Sequence, residues 1–262
     1  MSLKDAVKDC LRELSGWTKQ CGLHAFEHLE KAQALAELDP EMAIFRAITA
    51  EEEAATVLFI TLKQRQYNGA KQIQHRSHLY KQGLFPFLVL IRDYIGSVED
   101  QLPEKRWRKV EDDDGKARLI WEFEGPGGLW GRPDHPFNMM LSSGETGDPY
   151  HFERELDRFA KETAEGDVKK YLNERANQRN RLLYASESGI PRVTDGVERN
   201  LKEQEEKVVA ICAIACMIAP YRERGIFAQQ CLNAFLYLMD KLSKDDLETM
   251  DYGIRGPVVS SP

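Results

Sequence analysis

One stretch near the start of the chain limits the possible folds more than any other. Asp39 followed by Pro40 is a typical helix start, because the aspartate caps free N–H groups and proline needs no partner for its missing N–H. Small and then larger apolar residues recur beyond it at three- and four-residue spacing: Ala43, Ala47, Ala50, Ala54, Leu58 and Leu62. Small side chains let a second helix approach closely, so the stretch predicts tight helix–helix packing.

Helical spacing also fills most of the first hundred residues. Gly16 and Gly22 are expected to interrupt the first helices, and Asn68–Gly69 to form a turn. A shorter helical segment around residues 75–78 and an apolar helix at about 87–98 are expected to follow.

The second half of the chain is again helical in pattern. Helices are expected at about 150–185, from 194 through an apolar run at 208–219, and at about 224–241. The apolar run has 12 residues, well short of the roughly 20 that a membrane-spanning helix needs. It therefore predicts a buried core helix and no membrane association.

Between these halves the pattern changes. Asp114–Gly115, a dipeptide typical of tight turns, lies between short segments rich in apolar residues and predicts a β-hairpin. The next stretch, 125–149, holds four prolines and six glycines and predicts an irregular connection. We therefore expect an all-α fold, an antiparallel helical bundle with a small β-hairpin insertion. The expected parts are N-terminal helices at 1–102, the insertion at 103–149, C-terminal helices of the same bundle at 150–245 and a loose tail at 246–262.

Composition bounds the partners and the compartment. The net charge of -7 and the pI near 5.5 disfavour sequence-independent binding to nucleic acid or anionic membranes, although local basic patches remain possible. The five cysteines show no C-x-x-C spacing, which favours reduced thiols in a cytoplasmic protein. These cysteines are Cys10, Cys21, Cys212, Cys216 and Cys231.

Two patterns raise the question of a metal site. Residues 24–28 match H-x-x-E-H, a zinc pattern, but lack the context of a large metallopeptidase; two histidines on a polar helix face are the simpler interpretation. The triplet Glu51–Glu53 suggests a di-iron bundle, yet no histidine has a glutamate three residues before it. We expect one of the three glutamates to face the interior beside a basic group and the others to be solvated. No metal or other cofactor is expected.

Two basic clusters are candidates for contact with RNA. No Asp or Glu lies between Ala54 and Arg92, and this strip is either a solvated helix face or a surface that steers phosphate. Its candidate RNA-binding residues are His75, Arg76 and Lys81. The second cluster, 105–109, places an aromatic ring among cations, as single-strand-binding sites do. Its candidates are Arg106, Trp107 and Arg108, and the acidic residues 111–114 are expected to neutralise it across the turn.

Three segments, in this order, resemble the abortive-infection V (AbiV) branch of the HEPN superfamily of helical-bundle proteins. Residues 39–53 are similar to a small-residue helix that ends in acidic residues. Residues 75–81 resemble a helix with histidine and lysine, and residues 179–185 (RNRLLYA) resemble an R-x-x-LY segment before the closing helices. Together they frame about 200 residues of the chain.

The resemblance implies a homodimer that cuts RNA without metal. Such cleavage needs a base for the 2′-hydroxyl proton, an acid for the leaving oxygen and a cation for the charged phosphorane. Arg179 would supply the cation, Asn180 would orient phosphate or ribose, and Arg181 would contact RNA. The family's histidine aligns with Tyr184, a poor base at neutral pH because phenols have a reference pKa near ~10. His78 or His75, from another helix, is then the candidate base, and we name His78 as the catalytic one.

The sequence therefore supports two hypotheses. In the first, the chain is a defence or stress-response protein that acts on RNA or translation, in its strongest form as an endoribonuclease. In the second, it is a non-catalytic dimer of the same bundle class that binds a protein partner or RNA. The decisive observation is whether Arg179, Tyr184 and His78 converge on one cleft.

Overall fold

The computed structural model describes residues 1–97, 104–142, 147–163, 165–184, 189, 192–193 and 195–239. Within these ranges the protein is mostly helical, with one small antiparallel sheet, as the sequence predicts. The α-helices are α1 (Leu3–Glu13), α2 (Gly16–Leu35), α3 (Pro40–Gln64), α4 (His78–Ser97), α5 (Glu153–Arg158), α6 (Val168–Arg181), α7 (Val197–Ile218) and α8 (Ile226–Leu238). The strands are β1 (Lys105–Glu111), β2 (Ala117–Glu124) and β3 (Trp130–Gly131).

Helix α3 is the central element, and it begins as predicted. Asp39 accepts a hydrogen bond from the backbone N–H of Met42 at 3.0 Å, with Pro40 in the first turn. Every residue from 54 to 62 is buried, so this half of α3 has no solvent face. A helix buried on all sides must have neighbours all around it, and α2, α4 and α7 pack against it.

Two of these neighbours run in different directions relative to α3. Thr18 of α2 bonds Gln64, and His28 lies 3.4 Å from Arg46, so α2 is antiparallel to α3. Helix α7 instead runs parallel to α3. Leu201 packs among the alanines at the start of α3, and Lys207, further along α7, pairs with Glu51, further along α3. The bundle therefore includes a parallel pair, whereas the sequence analysis expects only antiparallel neighbours.

The expected helix break at Gly22 is wrong, because this glycine lies inside α2. A Cβ there would come within 2.6 Å of Leu11 Cδ2. Gly22 thus permits the close approach of α1 and α2. The expected break before Gly16 is present, since α1 ends at Glu13 and α2 starts at Gly16.

The region of residues 68–98 also differs from expectation. Gly69 forms the predicted turn with a φ of 76°, but His75 lies outside any helix. A single helix, α4, starts at His78 and continues through Pro86 to Ser97. His78 is therefore the first residue of α4, where its side chain is free to face a neighbouring helix.

The hairpin is present and gains a third strand. Gly115 turns the chain with a φ of 73°, and Trp107 pairs with Trp121 across β1 and β2. Leu119 and Ile120 of β2 are buried, and β2 packs against α1 and α7. The sheet is therefore joined to the helical core by apolar contact.

The stretch after the sheet is irregular, as predicted, but it is tied to α8 by Gln230. This buried side chain accepts from the N–H of Leu141 at 3.0 Å and donates to the carbonyls of Leu141 at 2.8 Å and Tyr150 at 3.1 Å. One side-chain amide thus bonds three backbone groups of this stretch and fixes it against α8.

The helix expected at 150–185 is divided. Helix α5 passes into a π-helical turn at Phe159–Thr163, and α6 starts anew where Asp167 caps the N–H of Lys170. The predicted tail at 246–262 lies outside the described residues.

The apolar run lies in the core, as the sequence predicts. Its residues from 208 to 219, in α7 and at the end of that helix, are almost all buried, and all five cysteines are free thiols. Among the helices that the structure describes, none combines the length and apolar content needed to cross a membrane.

Candidate functional site

Three side chains from three helices meet at one place on the bundle. Glu52 Oε1 lies 2.8 Å from His78 Nδ1, and its Oε2 accepts from Arg179 Nη1 at 3.1 Å. Arg179 Nη2 lies 3.2 Å from His78 Nε2, which closes the triangle. We call Glu52, His78 and Arg179 the three-residue cluster.

Each residue reaches the cluster because of its place in its helix. Glu52 is buried two residues before the fully buried stretch of α3, His78 is the first residue of α4, and Arg179 lies in the last turn of α6. A cation near a helix C-terminus is favoured by the carbonyl groups there. The guanidinium also lies 5.5 Å from the ring centre of Phe45, so an aromatic face supports it.

The hydrogen bonds assign the proton on His78. Arginine can only donate, so Nε2 of His78 must accept from Arg179. Nδ1 therefore carries the proton and donates to Glu52. In this arrangement a carboxylate sets the tautomer of the imidazole, and a guanidinium covers its other nitrogen.

The cluster is deep at one end and open at the other. The side chain of Glu52 is 4% exposed, that of Arg179 is 23% exposed and that of His78 is 45% exposed. Buried Gln82 lies beneath, with its amide 3.5 Å from Glu52 Oε1. A ligand from solvent would therefore meet the imidazole first, then the guanidinium.

A second buried carboxylate, Glu51, lies on the other side of α3. Lys207 is 3.8 Å away, and Gln204, with its amide oriented to satisfy both neighbours, donates to Glu51 at 2.7 Å and accepts from Lys207 at 3.2 Å. Burial raises the pKa of Glu51, and the nearby Lys207 and Arg175 oppose this without cancelling it. The expectation of a single interior glutamate is therefore wrong, since Glu51 and Glu52 are both buried.

Stability should depend on pH through Glu51. An unfolded glutamate loses its proton near pH 4.5, whereas buried Glu51 holds its proton to higher pH. The free energy of unfolding should therefore fall as the pH rises above 4.5, by at most about 1.4 kcal/mol per pH unit from this group. Glu51→Gln should remove this fall, so its advantage over the wild type should grow with pH in urea unfolding between pH 4.5 and 7. A difference that stays constant over that range would contradict the prediction, and Glu203→Gln, at an exposed position of α7, is the control.

The other residues proposed near Arg179 do not join the cluster. Asn180 and Arg181 are exposed, and Tyr184 is 68% exposed. Within the part of the chain that the structure describes, no hydrogen bond or ring contact connects their side chains to Glu52, His78 or Arg179. The structure thus brings Arg179 and His78 together and leaves Tyr184 apart.

His75 belongs to a separate arrangement nearby. Lys63 Nζ lies 2.9 Å from His75 Nδ1 and donates to the carbonyl of Ile73 at 2.7 Å. Burial lowers the pKa of His75, and the charges of Lys63, Arg76 and Lys81 lower it further. The basic strip therefore surrounds His75 with positive charge, as its lack of acidic residues predicts.

The cluster of residues 105–109 is neutralised, but not by the expected partners. Arg106 and Arg108 both pair with Glu122 of the neighbouring strand, at 2.8 and 3.5 Å. Arg106 also stacks on Trp130 at 3.8 Å, and Lys109 pairs with Asp9 of α1. In the acidic turn, Asp112 instead pairs with Arg118 of β2. Trp107 is half-buried.

The two metal patterns do not assemble ligand sets. The rings of His24 and His28 lie 4.3 Å apart, but His28 Nδ1 faces Arg46. Among the described residues, no group of three or more His, Cys, Asp or Glu side chains is placed to hold one metal ion.

Sequence reasoning named Glu52 only as part of an acidic triplet and missed its place in the cluster. No local pattern marked it, because at about 100° per residue Glu52 lies on the side of α3 away from Ala47, Ala54 and Leu58. For Glu51 the sequence does hold a signal. Lys207 directly precedes the apolar run of α7, and a cation at the edge of a buried helix indicates a buried anionic partner.

Comparison of the chain with protein-family models, curated proteins and solved structures finds no match. The function must therefore be argued from the geometry of the cluster.

Proposed function

We propose that this chain is a HEPN-like defence or stress-response protein of the AbiV type that cuts RNA without metal, with His78 as base and Arg179 as cation. The observation that carries the proposal is the three-residue cluster, in which a carboxylate, an imidazole and a guanidinium from distant parts of the sequence are within hydrogen-bond distance of one another. The resemblance to the AbiV branch implies a homodimer, which we propose here also.

The geometry suggests how the reaction would proceed. An incoming phosphodiester competes with His78 for Arg179, because guanidinium binds phosphate by two parallel hydrogen bonds. Movement of the guanidinium frees Nε2 of His78. This nitrogen takes the proton of the RNA 2′-hydroxyl while the 2′-oxygen attacks phosphorus. Glu52 holds the Nδ1 proton and stabilises the imidazolium that forms, and Arg179 stabilises the charge on the phosphorane.

The bond to the 5′-oxygen then breaks, and that oxygen takes a proton from the imidazolium or from water. The expected products are a 2′,3′-cyclic phosphate and a 5′-hydroxyl. Tyr184 is not needed in this scheme, which removes the difficulty that a phenol poses as a base.

Incubation of the purified protein with total RNA in EDTA tests the proposal. We expect cleavage that ends in cyclic phosphates and that falls by about 10²–10³-fold in Arg179→Ala, the loss typical of removing one group that stabilises developing charge. Arg158→Ala, at an exposed position in the last turn of α5, is the matched control and should cleave like the wild type. RNA binding without cleavage would favour the non-catalytic hypothesis instead.

A further inference from the structure

A pocket of about 370 Å³ lies between α2 and α3. Glu53, which follows Glu52 in α3, is part of its wall, and the other lining residues come from α2. The lining consists of Trp17, Gln20, Cys21, Leu23, His24, Glu27 and Glu53. The pocket is large enough for a flat heteroaromatic group.

Trp17 provides an aromatic surface at this pocket. Trp17 is 49% exposed, so part of its ring is open to a ligand. The ring meets His75 edge to face, with centroids 5.5 Å apart and planes at 80°. His75 therefore holds Trp17 in place without covering both of its faces.

Glu53 provides hydrogen-bond acceptors in the lining of the same pocket. Burial first, and the neighbouring Glu53 carboxylate second, raise the pKa of the Cys21 thiol to about 12. A carboxylate offers about four lone-pair positions, so Glu53 can accept from a ligand beside the thiol. Glu27 is engaged with Lys31, which leaves Glu53 as the acceptor available to a ligand.

Positive charge lies next to this pocket. Lys63, Arg76 and Lys81 all act on His75, the residue that supports Trp17. These charges favour an anionic group at the Trp17 end of the pocket, whereas Glu27 and Glu53 in the lining favour hydrogen-bond donors. A ligand with a donor-bearing neutral ring and a phosphate fits both.

We propose that this pocket binds a guanine base of the RNA substrate, stacked on Trp17 and read by Glu53. Guanine presents two adjacent N–H donors, N1–H and N2–H, which match the two oxygens of one carboxylate. Adenine and cytosine place a ring acceptor beside their amino group, and uracil flanks its single N–H with two carbonyls, so each of them opposes a carboxylate. The inference rests on the proposed function, because it gives the neighbouring cleavage site a base preference.

The probe is 2′-deoxyguanosine 5′-monophosphate, which binds without being cleaved. Calorimetric titration should show saturable binding about tenfold tighter than for the adenine and cytosine deoxynucleotides, the size of discrimination that a paired hydrogen-bond contact gives. Trp17→Ala should weaken binding about tenfold through lost stacking. Glu53→Gln should lower the preference for guanine to less than about threefold, whereas Glu30→Gln, exposed on α2, should leave it unchanged.

Equal binding of the deoxynucleotides, binding of inorganic phosphate as tight as that of the nucleotide, tighter binding of spermidine, or no binding at all would each overturn the inference. Its failure is separable from that of the proposed function. RNA cleavage without nucleotide binding removes only the guanine pocket, and nucleotide binding without cleavage removes only the nuclease.

Discussion

His78→Ala should lower the rate of RNA cleavage by about 10²–10⁴-fold, the usual contribution of a general base. The structure gives this residue the orienting carboxylate and the open face that the role requires, since Nδ1 donates to Glu52 and the side chain is 45% exposed. Initial rates on a short RNA in EDTA, at saturating protein, would measure the effect on the chemical step.

His78→Gln separates chemistry from structure. A glutamine amide can still donate to Glu52, but it cannot take a proton, so cleavage should stay as low as in His78→Ala while the thermal midpoint returns towards that of the wild type. Lys202→Ala, exposed on α7, should match the wild type in both measurements. Cleavage by His78→Gln at more than a tenth of the wild-type rate would exclude His78 as the base.

The local features of this fold were predictable because they depend on nearby residues. The start of α3 follows from Asp39 and Pro40, and the hairpin follows from a turn dipeptide between apolar segments. Gly22 was misjudged because the same residue that breaks a helix also lets two helices touch, and only the position of Leu11 decides between them.

The site was less predictable, because its residues are far apart in sequence. Glu52 and Arg179 are separated by 127 positions, and no local pattern states that they meet. The resemblance pointed to Arg179, Asn180 and Tyr184, and the fold leaves the last two exposed. Chemical type and the resemblance of its segment suggested His78 or His75 as the base. Two of the three consecutive glutamates are buried, and which two depends on how α3 is rotated relative to its neighbouring helices. This rotation is a property of the whole bundle.

Glu52→Ala should destabilise the fold more than any surface charge change. Removing one partner of a buried ion pair typically costs about 3–5 kcal/mol, because the other charge stays without a partner. Arg179 keeps 23% exposure and can partly turn to water, so we expect about 2–3 kcal/mol here. Urea unfolding at neutral pH measures this. Glu122→Ala is the matched control, because it also separates a carboxylate from two arginines, but those side chains are 44% and 55% exposed and the loss should stay below about 1 kcal/mol.

A double-mutant cycle assigns the loss to the contact between Glu52 and Arg179. Arg179→Met removes the guanidinium and keeps an unbranched apolar chain beside Phe45, so the double variant lacks the unpaired charge. Its destabilisation should be smaller than the sum of the two single losses, with a coupling of about 0.5–3 kcal/mol. Additive losses would show that the two side chains do not stabilise each other across α3 and α6. The coupling is expected whether or not the chain cuts RNA, because it depends only on the burial of Glu52.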